Sequence, residues 1–422
     1  MRVPASLLAS SAALLLSLAT GLAACSDDPA ASSAAPEGDG GPTSRDGGTT
    51  PEGEDGGTTT TPPACPRPAK AEDHVRKVVV SHPFAEPSGK APAFEVLELS
   101  VDGALTRTGQ TFTMHPAFQD IVFTPDGKVG YVAQDDGTIG AFTFDDAGKV
   151  KVVHEGFSGK WSAGKLVVSN DGQTLWVLDP NTESNGGGVR RMRIGCDGTL
   201  TDEGLVVPGG TAHVMALLPN DPDRAVLVSY KASDSPAGSY AHRMDLAQSP
   251  PKRLASGAVF DDTKAIASSV AVTADGKFAL VTENGFEVGS RMAPVALSDM
   301  SKRATIATPN PSAVVLSPFG NALLLMNSDG EDALRVVKYD PANDATPFTI
   351  GAQITTKNGK TELPTFAKVV EKGKLKGRVL VSEVLSVRQL AFAADGTITD
   401  VGASLVWPDG NTNIVGSLGM EP

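Results

Sequence analysis

The chain has few of the residues that build active sites or long helices. Its 422 residues include three Cys, three Trp, four Tyr and six His, and aromatic residues make up only 5% of the sequence. There are 36 Lys and Arg against 49 Asp and Glu, a formal net charge of −13. This charge argues against a nucleic-acid partner, because phosphate binding needs a basic surface. The 45 Gly and 30 Pro favour short strands and many turns over long helices.

Standard catalytic and cofactor motifs are also missing. The sequence contains no Gly-x-Ser-x-Gly nucleophile elbow, no His-Glu-x-x-His zinc motif, no P-loop and no intact EF-hand loop. The His residues are scattered, and no two of them are four residues apart. The sequence therefore predicts no resident cofactor and favours a non-catalytic role, although it leaves enzymatic activity open.

The amino-terminal residues predict export. An apolar stretch from Leu7 to Leu22 is too short for a comfortable membrane span and is typical of a signal-peptide core. It ends in Leu22-Ala23-Ala24-Cys25, which resembles the lipobox of bacterial lipoprotein precursors. The resemblance implies cleavage before Cys25, lipidation of Cys25 and a membrane anchor in the bacterial cell envelope, with Ser26 slightly favouring the outer membrane. The alternative is an ordinary secretory signal with an incidental Cys.

A linker follows the anchor. Residues 26–64 contain only Ala, Asp, Glu, Gly, Pro, Arg, Ser and Thr, so they cannot bury enough apolar surface to fold. The predicted organisation is a signal peptide over 1–24, the lipidated Cys and a disordered linker over 25–73, and one folded domain over 74–422.

An internal repeat occupies the folded part. Its clearest copy, Asp120–Ala133, reads as a strand, a Pro-Asp-Gly turn and a second strand. This tripeptide suits a tight turn, because Pro presets φ and Gly accepts a positive φ. The turn recurs at positions 126, 171, 220, 275, 319 and 372, spaced 44 to 55 residues apart. Such a spacing is the length of a four-stranded propeller blade.

The two ends of the chain supply a seventh unit. Lys77–Ser81 reads as a second strand that lacks its first, and Asn413–Ser417 matches the start of the repeat, Asp120–Thr124. The sequence therefore predicts an all-β, seven-bladed β-propeller of four-stranded blades, closed by the carboxyl-terminal strand joining the amino-terminal blade. A solenoid or a sandwich is the alternative.

The Pro-Asp-Gly-containing units resemble the YVTN, lactonase-like and quinoprotein-dehydrogenase-like propeller superfamily over about residues 76–417. The resemblance implies the fold and says little about chemistry. In phosphogluconolactonase-like propellers a Gly-x-Arg-His segment opens an inner strand and a Glu follows the next strand. Here Gly210-Thr211-Ala212-His213 has a His in a similar register, but Ala212 replaces the Arg and no Glu follows. His213 is the catalytic candidate if the protein is a periplasmic lactonase-like hydrolase.

The fold also predicts where a ligand would bind. The second strands end around one mouth of the channel, the upper mouth, at His82, Asp135, Asp179, Tyr230, Glu283, Asp329 and Glu383. The inner strands open at the same mouth, with Asp120, Lys165, His213, Ser269, Ser312, Thr365 and Asn411. Converging carboxylates focus negative potential, so this mouth is predicted to bind a cation, with calcium considered first, or a basic peptide. Alternatively, each carboxylate caps a turn or faces solvent.

These features together predict a monomeric, lipid-tethered binding or scaffold propeller without catalytic activity. Its partners would be the membrane, through the anchor, and an envelope protein, peptide, polymer or cation. The lactonase-like hydrolase remains the alternative function.

The two remaining cysteines suit a disulfide in an oxidising compartment. The amino end enters the ring at a second strand, hence from the lower face, and Cys196 lies in a turn between third and fourth strands on that face. A Cys65–Cys196 bridge is therefore predicted, with two unrelated thiols as the alternative.

Overall fold

The computed structural model describes residues 65–84, 94–117, 119–180, 187–209, 211–231, 238–260, 266–284, 291–308, 311–326, 333–354, 363–408 and 413–422. Regular secondary structure in these segments consists of 29 β-strands. Within the same segments, no helix has the length and apolar character needed to cross a membrane. The signal peptide, Cys25, the predicted linker over 26–64, Asp329 and Asn411 lie outside the described residues.

The first three strands of the chain belong to blade one. The strands that follow form blades two to seven in chain order, and the last strand returns to blade one. The opening strands are β1 (Arg76–Ser81), β2 (Phe94–Leu99) and β3 (Leu105–Phe112). Blade two contains β4 (Ile121–Phe123), β5 (Val129–Ala133), β6 (Ile139–Phe144) and β7 (Val150–Phe157). Blade three contains β8 (Lys165–Val168), β9 (Thr174–Asp179), β10 (Gly188–Ile194) and β11 (Leu200–Pro208). Blade four contains β12 (Thr211–Leu218), β13 (Asp221–Lys231), β14 (Gly238–Asp245) and β15 (Lys252–Phe260).

The remaining blades have the same order. Blade five contains β16 (Ile266–Val272), β17 (Phe278–Asn284), β18 (Arg291–Ala296) and β19 (Ile306–Ala307). Blade six contains β20 (Pro311–Leu316), β21 (Ala322–Met326), β22 (Leu334–Tyr339) and β23 (Phe348–Gln353). Blade seven contains β24 (Pro364–Val369), β25 (Arg378–Glu383), β26 (Ser386–Phe392), β27 (Ile398–Asp400) and the short β28 (Leu405–Val406), which pairs with β26. The last strand is β29 (Leu418–Met420).

Each blade is an antiparallel sheet, and the seven blades form a ring. Within a blade the strands lie in chain order from the centre outwards, and β29 is the innermost strand of blade one, beside β1. The seven inner strands contact one another in sequence around the ring, and β24 contacts β29 to close it. The predicted all-β, seven-bladed propeller with carboxyl-terminal closure is therefore confirmed.

The closing strand lies four residues later than its predicted position. Val80 pairs with Leu418 and Val78 with Met420, which makes Leu418, not Ile414, the equivalent of Ile121 in blade two. Gly419 faces Ile121 so closely that a Cβ would lie 2.5 Å from the Cβ of Ile121. A strand of Leu, Gly and Met lacks the β-branched pattern of the other inner strands, so its sequence does not match the repeat.

The apolar core consists of seven clusters, one between each pair of neighbouring blades. Consecutive residues of a second strand serve two clusters, because side chains alternate between the faces of a strand. Val79 packs towards blade two, for example, and Val80 packs towards blade seven. This two-sided burial explains the continuous apolar runs of the second strands.

The repeated turn between first and second strands is held by its own Asp. Asp126 Oδ1 accepts hydrogen bonds from Thr124 Oγ1 at 2.6 Å and from the Lys128 amide at 3.1 Å, while Gly127 has a φ of +64°. The same pattern recurs at Asp171 and Asp275. These turns form the lower face of the ring.

Residues 65–75, here called the strap, lie along the lower face before β1 begins. The sequence predicts a linker as far as residue 73, whereas the structure places residues from Cys65 onwards against the ring. Four contacts hold the strap to four successive blades: the predicted disulfide Cys65–Cys196 with a Cα–Cα distance of 5.3 Å, Arg67 Nη1 to Asp126 Oδ2 at 3.3 Å, Lys70 Nζ to Glu421 Oε2 at 2.8 Å, and the Lys374 amide to Asp73 Oδ1 at 2.7 Å.

Candidate functional site

The upper ends of the inner strands share one irregularity. In blades four to seven the inner strand carries one extra residue relative to the second strand, a β-bulge near the upper mouth of the channel. The bulged residues are His213, Ser268, Ser312 and Thr365. The three hydroxyl side chains donate hydrogen bonds to their own second strands, for example Ser312 Oγ to the Leu325 carbonyl at 3.2 Å. The mouth therefore has a rim of polar groups.

A charged cluster spans the channel at this level. Lys165 of blade three and Phe366 of blade seven pair with equivalent residues of their second strands, so they lie at the same height. The Lys165 ammonium nitrogen lies 5.7 Å from the centroid of the Phe366 ring. Blades three and seven are not neighbours in the ring, and this contact therefore crosses the channel.

A second contact crosses the channel beside the first. Asp120, just before β4 of blade two, accepts a hydrogen bond on Oδ1 from Lys368 Nζ of blade seven at 3.2 Å. Their side chains are partly exposed, at 31% and 26%. Asp120, Lys165, Phe366 and Lys368 thus come from three blades and meet in the channel; they are called the channel cluster below.

The channel cluster is positively charged in a negatively charged protein. Burial raises the pKa of Asp120, but the ammonium groups of Lys368 and Lys165 outweigh that effect and hold the pKa below its ordinary value. Asp120 is therefore ionised at neutral pH, and it neutralises one of the two lysines. The Lys165 ammonium group has no hydrogen bond or ion pair with any residue in the described segments. Lys165 is therefore the lysine of the channel cluster whose charge is not paired with a carboxylate in the described segments.

Four of the predicted upper-mouth residues are buried, and the contacts of Glu283, Glu383 and His82 lie within their own blades or with adjacent chain. Glu283 is fully buried and pairs with Arg291 Nε at 2.6 Å. Glu383 is buried and accepts a hydrogen bond from Ser386 Oγ at 2.8 Å. His82 lies 3.2 Å from the Ile414 carbonyl through Nδ1 and 3.6 Å from Glu95 through Nε2, and Asp179 is buried at 1% exposure. Ligand binding by these residues stays a prediction.

Calcium binding stays a prediction. In the part of the chain that the structure describes, no three or more His, Cys, Asp and Glu side chains are grouped as metal ligands.

His115 and Asp135 form a hydrogen-bonded pair on the upper face. Asp135 Oδ1 lies 2.6 Å from His115 Nδ1, and the His115 ring is 46% exposed. Burial raises the pKa of Asp135, and the interaction with His115 offsets part of that rise. The Gln134 side chain donates a hydrogen bond to the His115 carbonyl at 3.0 Å and fixes the loop. His115 Nε2 lies 3.8 Å from Asp136 Oδ2. When the Asp135 carboxylate accepts the Nδ1 proton, Nε2 is the proton acceptor of the ring, as in a general base.

His213 has a different environment. Its ring lies beside Tyr230, with the centroids 6.5 Å apart, and its Nε2 is buried without a hydrogen-bond partner among the described residues. Burial lowers the pKa of His213 to about 4, so the ring is neutral at pH 7 and a weak base. The second strand of the same blade, β13, ends in Val228-Ser229-Tyr230-Lys231 without the Glu of the lactonase-like pattern. Ser229 Oγ is hydrogen-bonded to His242 Nε2 at 2.8 Å.

Part of the channel cluster is predictable from the sequence. Asp120 and Lys165 were both expected at the upper mouth as inner-strand openers, whereas Lys368 and Phe366 were missed. Lys368 lies within the strand Pro-Thr-Phe-Ala-Lys-Val of the degenerate sixth copy. A lysine among the mainly apolar residues of an inner strand is the signal that could have identified it.

No family model and no curated protein matches the sequence. Solved structures do match the fold. A candidate 6-phosphogluconolactonase from Bacteroides uniformis has a TM-score of 0.62 at 13% identity, covering 82% of this chain and 100% of the other. A similar protein from Bacteroides fragilis has a TM-score of 0.61 at 15% identity, covering 84% and 99%.

The periplasmic gluconolactonase of Pseudomonas aeruginosa has a TM-score of 0.59 at 15% identity, covering 82% of this chain and 99% of that one. Identities this low show a shared fold, whereas the chemistry depends on the residues of the site. The chain is a seven-bladed β-propeller with the fold that these lactonase-like propellers share.

Proposed function

We propose that the protein is a binding propeller that takes a small anionic ligand into the upper part of its channel. The channel cluster carries this proposal, because Lys165 and Lys368 converge from blades three and seven on one small space. Lysines bind carboxylate and phosphate oxygens through charge-assisted hydrogen bonds. A cation ligand at the upper-mouth carboxylates stays a prediction; of these carboxylates, Glu283 pairs with Arg291 and Asp135 with His115.

The polar rim and Phe366 narrow the ligand class. Hydroxyl groups at the bulges match a ligand that itself carries hydroxyl groups, and an aromatic ring offers a flat apolar face. A sugar acid combines a carboxylate, several hydroxyl groups and an apolar C–H face. The names of the gluconolactonase structures point to the same class, so gluconate and 6-phosphogluconate are the first probes.

The proposed binding function takes place in the cell envelope, because the amino-terminal residues predict export. A lipid anchor on Cys25 and the strap on the lower face would hold the ring so that its upper mouth points away from the membrane. The ligand would then be collected in the cell envelope.

Replacing either channel lysine is expected to weaken gluconate binding about tenfold or more, since a hydrogen bond to a charged group contributes about 1.5–3 kcal/mol. Lys165→Met and Lys368→Met remove the charge and keep most of the stem. Isothermal titration calorimetry of the full chain measures the effect. Lys252→Met, on the exposed outer strand β15, is the matched control and should bind like the wild type. Equal affinity in all four proteins would refute the channel site.

Lactone hydrolysis is the second candidate function, and the His115–Asp135 pair favours it. His115 would take a proton from water as the hydroxide adds to the lactone carbonyl, and then return the proton to the ring oxygen as the C–O bond breaks. General-base catalysis typically contributes about 10²–10⁴-fold. His213, being a weak base, is less suited to this step.

His115→Asn is therefore expected to reduce the enzyme-dependent hydrolysis of glucono-δ-lactone about a hundredfold or more. The rate is followed by proton release above the spontaneous reaction. His213→Ala is the comparison and should retain turnover. The reverse result, with loss in His213→Ala only, would transfer the role to His213, and no turnover in the wild type would leave the protein a binding propeller.

A further inference from the structure

We propose that Asp120 is a built-in counter-ion, which pairs with Lys368 where an external anion would bind and sets how tightly that anion binds. The proposal rests on the proposed function in that both concern Lys165 and Lys368. It goes further by assigning a regulating residue inside the site, one that weakens binding and narrows the range of anions accepted.

Asp120 differs from the structural aspartates of the repeat. Asp126, Asp171 and Asp275 each accept hydrogen bonds from their own turn and hold it in shape. In the described segments, the Asp120 carboxylate has a hydrogen bond only with Lys368. No turn or strand of blade two depends on it. Its carboxylate therefore interacts with the lysines of the channel cluster and does not hold a turn of blade two in shape.

Asp120 is also fixed in place. The next residue, Ile121, is buried at 1% exposure and begins the inner strand β4. Asp120 therefore cannot retreat far from the channel when a ligand enters. Its carboxylate reduces the repulsion between the ammonium groups of Lys165 and Lys368.

An incoming carboxylate has to share the lysines with Asp120. Lys165, which has no ion pair among the described residues, is the first contact, and Lys368 must turn from Asp120 Oδ1 towards the ligand. Two carboxylates then lie near each other, and like charges at close range repel. A ligand that engages both lysines and the polar rim overcomes this cost, whereas a simple anion such as acetate does not.

The test compares Asp120→Asn with the wild type for two probes, gluconate and acetate, by calorimetric titration of the full chain at fixed ionic strength. Removing one like charge beside the bound anion is expected to tighten gluconate binding about tenfold. The same variant is expected to acquire measurable acetate binding. Asp146→Asn removes the same charge from a fully exposed position on the lower face of blade two, and it should leave both affinities unchanged.

The outcomes separate this inference from the proposed function. If gluconate binding depends on Lys165 and Lys368 but Asp120→Asn binds no tighter, the binding function stands and the counter-ion role is overturned. If the wild type binds neither probe but Asp120→Asn binds acetate, the sugar-acid function fails and the counter-ion role stands. Weaker gluconate binding in Asp120→Asn would make Asp120 a ligand-binding residue and overturn the inference. The melting temperature of each variant checks that the fold is intact.

Discussion

Removing residues 413–422 is expected to destabilise the propeller more than any other change proposed here. The truncation deletes β29, the innermost strand of blade one, and takes the fully buried Val415 and Leu418 out of the cluster between blades one and seven. Two buried aliphatic side chains and the lost backbone hydrogen bonds account for about 5 kcal/mol or more. The truncated protein should lose most of its cooperative thermal transition by circular dichroism.

Milder variants keep this prediction testable if the truncated chain does not fold. Leu418→Ala retains the strand and should cost about 2–5 kcal/mol. Deleting Pro422 alone leaves β29 intact and serves as the control. A truncated chain that melts like the wild type would show that closure by β29 contributes nothing to stability.

Cys65→Ser combined with Cys196→Ser is expected to lower the free energy of unfolding by about 4–5 kcal/mol, because the bridge closes a loop across a sequence separation of 131 residues. The bridge stabilises the protein mainly by restricting the unfolded chain, which gains conformational entropy when the bridge is removed. In the folded state, the strap keeps its contacts through Arg67, Lys70 and Asp73. Urea denaturation followed by tryptophan fluorescence measures the change.

The reducing agent dithiothreitol provides the internal control for the disulfide. It should lower the urea midpoint of the wild type and leave that of the double variant unaltered. Gluconate affinity should also be the same in both proteins, because the disulfide lies on the lower face. A double variant as stable as the wild type would contradict the role assigned to the bridge.

The fold was predictable because it repeats. Six copies of one strand–turn–strand pattern fix the blade length, and a self-contained turn such as Thr124–Val129 is legible from its own residues. The closing strand was misplaced by four residues, because Leu418–Met420 acquires its strand conformation from pairing with β1 and not from its own composition. The strap was likewise assigned to the linker, since contacts with four distant blades determine its position.

The site was less predictable than the fold. The sequence places carboxylates at the ends of second strands, but it does not show that Arg291 lies against Glu283 or that Ser386 donates to Glu383. Lys165 and Lys368 are about two hundred residues apart in the chain and meet only because the ring closes. Their proximity depends on the closed ring, so it cannot be predicted from a local sequence pattern.

The most direct test of the channel site is a crystal structure of the protein soaked with gluconate. We expect difference density for the ligand at the upper mouth. Its carboxylate should lie within hydrogen-bond distance of Lys165 and Lys368, and its carbon chain should lie against Phe366. The density should be missing in crystals of Lys165→Met treated in the same way. Density at another position, with the Asp120–Lys368 pair undisturbed, would contradict the account.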